Sequence, residues 1–558
     1  MVKRVITFLH REIRGLHEAA YLLAILTLCS QLLSIGRNKL LAHFVPIEKL
    51  DLYFAAFRVP DLLFVGIASF VSVSVMIPLL AGRIERDLTD ARRFVSGVFF
   101  VFFGVMAGAS LVVFAFAPAL GSLFFPGFSA ADVNNELVPL MRIMLLSPML
   151  LGISNLFASV TQIYQKFFLY SLSPLIYTLG PIIGILFLYP FFGLSGLAFG
   201  VVIGAALHLA IQLPFIVERG FVPRFVLPDL REVGSVFLLS LPRTAGLAAQ
   251  QLSLATLFAF ASFGLPGSIA VFQFASDLQA TPLTIIGVSY SLAAFPTLAR
   301  LIGKGKREVF FEHIETALRH VIFWAMPAAA LFIVLRAQLV RVILGSGALG
   351  WTETRLTAAV LAAFAFSVIA QSLVPLFARG YYAAGNTKKP LVVNLASAAA
   401  TIAVAAVFFV LFERIPMVRF FLTALFRIDG VPGAGIIVLP LAYSFGQIVN
   451  AGALWFFFGR DFKPFSARVS RTLLESFIAV LVLGVVTVGL LDVFDDVFDI
   501  NTTFGVFSQG LFAGLCGVFA EIGILYGLQS RELEEIWGAM RQKIWRRADP
   551  PIAEELRM

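Results

Sequence analysis

Charged residues are scarce in this chain, and cysteine and histidine are scarcer still. Of its 558 residues only 13% are charged, while 59% are hydrophobic and the mean hydropathy is +0.92. Typical soluble domains carry about 25% charged residues, so this composition excludes a water-soluble globule. The two cysteines, Cys29 and Cys516, lie far apart in apolar stretches and form no CxxC pair. Neither a disulfide framework nor a cysteine metal site is therefore predicted.

Signatures of catalysis are absent from the sequence as well. There is no Walker loop, no paired metal-binding histidine motif and no GxSxG. No stretch between the hydrophobic runs is long enough to bury a core of its own, and no cleavable signal peptide is evident. We expect a protein that is not an enzyme, with no cofactor, metal or nucleotide; any transport would be driven by gradients or by membrane potential.

Long hydrophobic runs are what the chain does contain. A helix needs about 20 apolar residues to cross a bilayer, and the short alternating segments of a barrel are missing. The sequence therefore predicts an all-α polytopic membrane protein with about fourteen transmembrane helices. The predicted spans are 19–43, 52–81, 96–124, 137–163, 167–189, 192–217, 233–263, 267–299, 317–345, 356–384, 390–411, 432–458, 472–491 and 503–528.

The net charge of +9 has a distribution that speaks against nucleic acid as a partner. Most of the 42 lysines and arginines fall in the termini and in the even-numbered connections between spans. An acidic cluster, Asp492, Asp495, Asp496 and Asp499, lies on the opposite side. Because basic residues accumulate in cytoplasmic loops, both termini are predicted to be cytoplasmic.

Two similar span endings predict an internal duplication. Span 2 ends in VMIPLLA around Pro78 and span 8 in AAFPTLA around Pro296, which favours two six-helix lobes like those of alternating-access transporters. The predicted division is 1–18 as an interfacial amphipathic helix, 19–217 as the N-lobe with spans 1–6, 218–232 as a cytoplasmic linker, 233–459 as the C-lobe with spans 7–12, 460–528 as spans 13 and 14, and 529–558 as a cytoplasmic amphipathic tail. A further interfacial element is predicted within 412–430.

Charged side chains inside the spans point to function, since each costs at least about 2.5–3.5 kcal/mol at the bilayer centre. Those assigned to anchoring near span ends are Lys39, Arg142, Arg336, Arg341 and Arg379. Arg37, Arg58 and Arg243 remain, each beside a helix-interrupting Gly36, Pro60 or Pro242.

Three cations in one cavity would attract an anion, and arginine suits phosphate because its planar fork donates two parallel hydrogen bonds. Arg37, Arg58 and Arg243 are thus predicted to bind a diphosphate. The alternative is internal pairing: Arg58 with Asp61 on one helix face, and Asp277 with Arg37 or Arg243. Asp51, Asp61 and Asp277 are the predicted acidic or gating residues of the cavity.

Several stretches resemble a known family. SQLLSIGRNKLLAHF at 30–44 and LDLYFAAFRVPDLL at 50–63 are similar to the opening of MurJ/MviN proteins, the lipid II flippases, which read S-R-x-L-G-F-x-R and then T-D-A-F-F-x-A-F-[KR]-[LIV]-P-[ND]-L-L. GYYAAGNTKKP at 380–390 matches too. The resemblance carries over residue by residue to Arg37, Asp51, Arg58, Pro60 and Asp61.

The resemblance implies a V-shaped pair of lobes around a cationic cavity, with spans 13 and 14 forming a groove for a polyprenyl tail. This sequence departs from the family pattern at cavity positions: Gln31 replaces an arginine, Phe64-Val65 a basic pair, Ser69 a glutamate and Asp277 an arginine. A divergent member is predicted, in which Arg243 supplies a compensating cation.

Three functions follow as alternatives. The leading one is a monomeric flippase of the bacterial inner membrane that moves a polyprenyl-diphosphate-linked saccharide, lipid II or another lipid-linked oligosaccharide, to the outer leaflet by alternating access. The second is a gradient-driven antiporter of amphipathic cations, which would use the cavity carboxylates. The third is a membrane scaffold without transport, favoured if the arginines are fully paired. Membrane lipids are the only other partners expected.

Overall fold

The computed structural model describes residues 16–71, 73–226, 229–345 and 347–545. Within these ranges the chain is helical with short connections and contains no β-strand, which confirms the predicted all-α fold class. The predicted interfacial helix at 1–18 lies almost wholly outside the described residues, as does the end of the predicted tail beyond residue 545.

Twenty helices follow one another along the described chain. They are α1 Leu16–Phe44, α2 Ile47–Ala56, α3 Arg58–Ile67, α4 Val73–Arg86, α5 Leu88–Phe124, α6 Ala130–Ile163, α7 Phe168–Phe192, α8 Leu194–Glu218, α9 Leu230–Ala261, α10 Ser268–Gly303, α11 Arg307–Val334, α12 Arg336–Ile343, α13 Trp351–Ala365, α14 Val368–Ala383, α15 Lys388–Arg414, α16 Pro416–Phe426, α17 Ala434–Asp461, α18 Ala467–Asp495, α19 Thr503–Gly527 and α20 Arg531–Trp545.

Eleven helices of the described residues are long and apolar enough to cross a membrane, or twelve if the bent pair α13–α14 is one span. The two remaining predicted spans correspond to α1 and to α2–α4. The break between α2 and α3 falls at Phe57, where Pro60 has no N–H to donate to the carbonyl of Ala56. A short 3-10 helix, Ala68–Val71, follows α3. The count is therefore consistent with about fourteen spans.

Contacts divide the chain into two compact units. Unit 1 contains residues 1–281, 343–364 and 385–450, and unit 2 contains 282–342, 365–384 and 451–558. Unit 1 thus combines helices from both halves of the sequence. The division into lobes and linker made from the sequence stays a prediction.

Close packing of α7 on α8 in unit 1 depends on four glycines. A Cβ on Gly180 would lie 2.1 Å from the backbone nitrogen of Gly204, and a Cβ on Gly200 would lie 2.6 Å from the Cα of Gly184. Small residues at such crossings let transmembrane helices pack backbone against backbone. A buried cluster around Met76, Val95, Phe157 and other apolar side chains forms a second part of this unit's core.

In unit 2 the hairpin of α18 and α19 packs against α11. Gly517 of α19 lies against Thr487 of α18, and Gly514 lies against Leu335 just after α11. The terminal helix α20 is joined to this unit through Glu532, whose carboxylate accepts hydrogen bonds from Arg319 of α11 and Thr472 of α18.

Candidate functional site

The N-terminal end of α10 is held by a buried aspartate of α2. The Asp51 carboxylate accepts hydrogen bonds from the backbone N–H of Gly267, at 2.6 Å, and of Ala270, at 2.8 Å. Asp51 is only 5% exposed. Its carboxylate satisfies backbone N–H groups that the first turn of a helix leaves unpaired. It joins two segments more than 200 residues apart in sequence, but it does not line the cavity described next.

A chain of polar side chains links α1, α10 and α3. Arg37 donates from Nη2 to Oδ2 of Asp277 at 3.3 Å, and the amide of Asn38 donates to the same oxygen at 2.9 Å. The other carboxylate oxygen of Asp277 accepts from Nε2 of Gln273 at 2.6 Å. Gln273 in turn accepts from Nη2 of Arg58 at 2.8 Å. Two arginines are therefore connected through one amide and one carboxylate.

Arg58 is the most buried charge of this group, at 6% exposure. Its guanidinium lies 3.9 Å from the ring centre of Phe258 and donates from Nε to the carbonyl of Phe54 at 3.4 Å. Asp61 lies one helical turn further on, with 4.0 Å between Nη1 and Oδ2. The Phe258 ring, the Phe54 carbonyl and the Gln273 amide therefore stabilise the charged form of Arg58, although no carboxylate oxygen of the described residues is closer than 4.0 Å.

These side chains surround a cavity of about 180 Å³ in unit 1. Its lining residues are Arg37, Leu41, Tyr53, Phe54, Phe57, Arg58, Asp61, Gln273 and Asp277. Two arginines face two aspartates, so the formal charges of the lining balance. The internal pairing left open by the sequence is thus the arrangement present: Arg58 is nearest Asp61, and Asp277 pairs with Arg37.

The predicted site residues differ in where they lie. Arg37, Arg58, Asp61 and Asp277 meet at one cavity, and Asp51 lies apart at the start of α10. Arg243 belongs to α9 by its backbone, but its side chain is outside the described part of the structure, so its role stays a prediction.

Three participants were missed from sequence: Asn38, Gln273 and Tyr53. Gln273 precedes Asp277 by one helical turn, so these two residues share a helix face. Asn38 directly follows Arg37 in the sequence. A neutral amide in the membrane costs less free energy than a charge. The criterion of intramembrane charge therefore could not identify Asn38 or Gln273. Among the described residues no group of three or more His, Cys, Asp or Glu side chains could hold a metal ion.

The cations assigned to anchoring have local partners. Arg142 donates to the carbonyl of Phe114 at 3.2 Å, Arg336 to that of Ile333 at 3.4 Å, and Arg379 to Ser291 at 2.8 Å. Lys39 and Arg341 are also engaged in interactions. These residues take no part in the Arg37–Asp277 cavity.

Comparisons with known proteins agree with the resemblance seen in the sequence. The sequence model of the family described as "Lipid II flippase MurJ" matches residues 48–507. A probable lipid II flippase MurJ of Rhizobium tropici is 28% identical over 380 residues, 65% of this chain and 70% of the relative. Another, of Bdellovibrio bacteriovorus, is 28% identical over 401 residues, 70% of this chain and 76% of the relative.

Solved structures show the same fold. One described as lipid II flippase MurJ in an inward closed conformation has a TM-score of 0.71 at 22% identity, and the match covers 91% of this chain and 99% of that chain. An inward-facing multidrug resistance MATE family transporter of the MOP superfamily has a TM-score of 0.62 at 14% identity, over 79% of this chain and 95% of that chain.

Proposed function

Since the chain belongs to the lipid II flippase MurJ family, we propose that it moves a polyprenyl-diphosphate-linked saccharide, lipid II, from the inner to the outer leaflet of the bacterial inner membrane. This proposal rests on the match of the family's sequence model to residues 48–507. We place both termini in the cytoplasm, on the distribution of basic residues, and propose that the protein acts as a monomer. Flipping a lipid changes no covalent bond, so no catalytic residue is required.

The Arg37–Asp277 cavity is the proposed diphosphate site. Arg37 is half-buried and its contact with Asp277 is 3.3 Å long, so a diphosphate oxygen could replace the carboxylate at the same guanidinium. Arg58 contributes a buried cation to which Asp61 comes no closer than 4.0 Å. In this mechanism Asp277 neutralises Arg37 when no substrate is bound, and Arg243 is the third proposed ligand of the diphosphate.

The size of the cavity supports alternating access. At about 180 Å³ it is smaller than the roughly 300–1,000 Å³ that pockets for ordinary small ligands occupy, and a saccharide head group is larger still. The helices around the cavity must therefore separate to admit substrate and close again after release. The tail would remain in lipid, along the groove proposed between α18 and α19.

An antiporter of amphipathic cations is the second candidate. The carboxylate of Asp61 lines the cavity, its side chain is 40% exposed, and its nearest guanidinium nitrogen is 4.0 Å away. A transported cation could approach that oxygen directly. The similarity to a MATE family transporter concerns the fold alone.

Binding of purified protein to lipid II, followed by native mass spectrometry, tests the proposal. Lipid II competes with a polyprenyl monophosphate and with phosphatidylglycerol, and Arg37→Ala is compared with the matched control Arg142→Ala. We expect selective binding of lipid II that Arg37→Ala weakens by at least about tenfold, the effect of losing one charge-assisted contact. Equal binding of the three lipids would overturn the diphosphate site. Binding and release of a cationic amphiphile instead would support the antiporter, and neither activity would indicate a scaffold.

A further inference from the structure

A second and larger cavity lies in unit 1, away from the Arg37–Asp277 site. Its volume is about 830 Å³. Its walls come from the end of α9 with residues 260–265, the end of α15 with residues 409–413, one side of α16, and the segment 428–439 that leads into α17. None of its lining residues belongs to the proposed diphosphate site.

Five aromatic side chains lie in the wall of this cavity, among smaller apolar residues. The phenylalanines that line it are Phe260, Phe263, Phe409, Phe412 and Phe420. Phe260 and Phe409 contact each other, with ring centres 5.8 Å apart. Such a surface accommodates an alkyl chain by burying apolar area.

The helix that closes one side of the cavity presents apolar side chains outward. Met417 is 80% exposed, Phe421 is 61% exposed, and Phe420, which also lines the cavity, is 70% exposed. An exposed apolar helix of this kind lies at the boundary of head groups and acyl chains. The cavity is therefore continuous with a surface suited to membrane lipid.

Three charged side chains complete the lining: Glu413, Arg419 and Asp429. All three are exposed, and within the described residues no ion pair joins them to each other or to another group. One cation and two carboxylates beside an aromatic cavity match a ligand with one anionic group, one cationic group and a hydrocarbon chain.

We propose that this cavity binds a phospholipid with a phosphoethanolamine head group. Arg419 would donate its paired N–H groups to the phosphate. The primary ammonium would donate to Glu413 and Asp429, and an acyl chain would lie against the phenylalanines. The volume falls within the roughly 300–1,000 Å³ typical of ligand pockets. The site lies on the connection between spans 11 and 12, which the distribution of basic residues places outside, so the lipid comes from the outer leaflet.

Charge and hydrogen-bond donors distinguish the phosphoethanolamine head group from glycerol and choline head groups. An anionic glycerol head group has no cation for Glu413 and Asp429, and these carboxylates would repel its phosphate. A choline head group has a cation but no N–H to donate. Of these three head groups, only phosphoethanolamine brings both a positive charge and N–H donors to the two carboxylates.

Native mass spectrometry of the full chain in detergent tests this, with phosphatidylethanolamine, phosphatidylglycerol and phosphatidylcholine of identical acyl chains. The variants are Arg419→Gln, the pair Glu413→Gln with Asp429→Asn, and Arg414→Gln as control, a neighbouring arginine outside the cavity lining. We expect phosphatidylethanolamine to bind about tenfold more tightly than the others, since one charge-assisted contact contributes about that factor. The carboxylate pair variant should lose the preference over phosphatidylcholine, Arg419→Gln should weaken all three lipids, and the control should bind as the unaltered protein does.

Equal binding of the three lipids, or an unchanged preference in the carboxylate pair variant, would overturn the proposal. A preference for phosphatidylglycerol would do so as well. Because the substituted side chains are exposed, the variants should fold, and a thermal unfolding curve without lipid checks this. Lipid II binding to the same samples reports the other site, so a failure here is separate from a failure of the proposed transport function.

Discussion

At the Arg37–Asp277 cavity, two arginines face two aspartates, so a bound diphosphate must compete with carboxylates that the protein itself supplies. The intramembrane cost of a charge singled out Arg37 and Arg58, and both line this cavity. The pairing of Arg58 with Asp61 was also foreseeable, because residues three apart share a helix face. The partner of Arg37 lies 240 residues away, and no local rule chooses between Arg37 and Arg243 for Asp277.

Neutralising Asp277 should make substrate binding tighter rather than weaker. In Asp277→Asn the Arg37 guanidinium no longer has a carboxylate that a diphosphate must displace. A partly exposed ion pair contributes about 1 kcal/mol or less, so we expect lipid II affinity to rise by up to about fivefold. Binding measured against Asp496→Asn, an exposed aspartate far from the cavity in sequence, provides the control. Loss of transport with no gain in affinity would instead indicate that Asp277 binds a coupling cation.

At the scale of elements, helix ends and breaks were harder to foresee than helices. The sequence predicted span 2 as the single range 52–81 with Pro60 as an interruption, whereas the structure separates α2 from α3 at Phe57 and begins α4 only at Val73. Asp51 was expected to act in the cavity, but it accepts the N–H groups at the start of α10. A cap of this kind joins positions more than 200 residues apart, and only the folded arrangement brings them together.

Removing this cap should destabilise unit 1. Asp51→Ala would leave the N–H groups of Gly267 and Ala270 buried without acceptors, which costs about 1–3 kcal/mol for each unsatisfied group. We expect a lower melting temperature in detergent. The matched control is Asp229→Ala, which removes the exposed cap of α9, where the side chain accepts from the N–H of Arg231, and should cost about 0.5–1 kcal/mol. Equal losses in both variants would contradict the role assigned to Asp51.

The attachment of α20 should depend on the ionised form of Glu532. Burial by itself would raise the pKa of this carboxyl, but hydrogen bonds from Thr472 and its own backbone, together with the Arg319 guanidinium, hold the net pKa below the ordinary 4.5. A lowered pKa in the folded state means that this stabilisation is present above the ordinary value and is lost as the pH falls through the lowered one.

Glu532→Gln should therefore release α20 already at neutral pH. The variant leaves Arg319, which is 4% exposed, without its closest carboxylate, and breaking a buried pair costs about 3–5 kcal/mol. Limited proteolysis within residues 531–545 measures the release. Glu534→Gln, an exposed neighbour on the same helix, should remain protected. Equal cleavage of the two variants would show that apolar contacts of Leu533 and Ile536 hold the helix instead.

For the whole molecule, the sequence established the class of protein and left the arrangement of its parts to the structure. Composition and hydrophobic length are properties of each stretch alone, so the all-α membrane fold could be predicted without knowing any contact. The grouping of 343–364 and 385–450 with the first 281 residues in one compact unit could not, because it depends on contacts between distant helices.

Topology is the property of the whole chain that the proposed function most needs, since a flippase must present opposite ends of its cavity to opposite leaflets. The excess of basic residues in even-numbered connections predicts Lys304 in the cytoplasm and Asp496 outside. We expect a membrane-impermeant maleimide to label Asp496→Cys in intact spheroplasts and to label Lys304→Cys only after lysis. Both substitutions are made with Cys29 and Cys516 replaced by serine. Because Lys304 and Asp496 are exposed, reactivity reports the side of the membrane, and the reverse labelling pattern would invert the direction of transport proposed above.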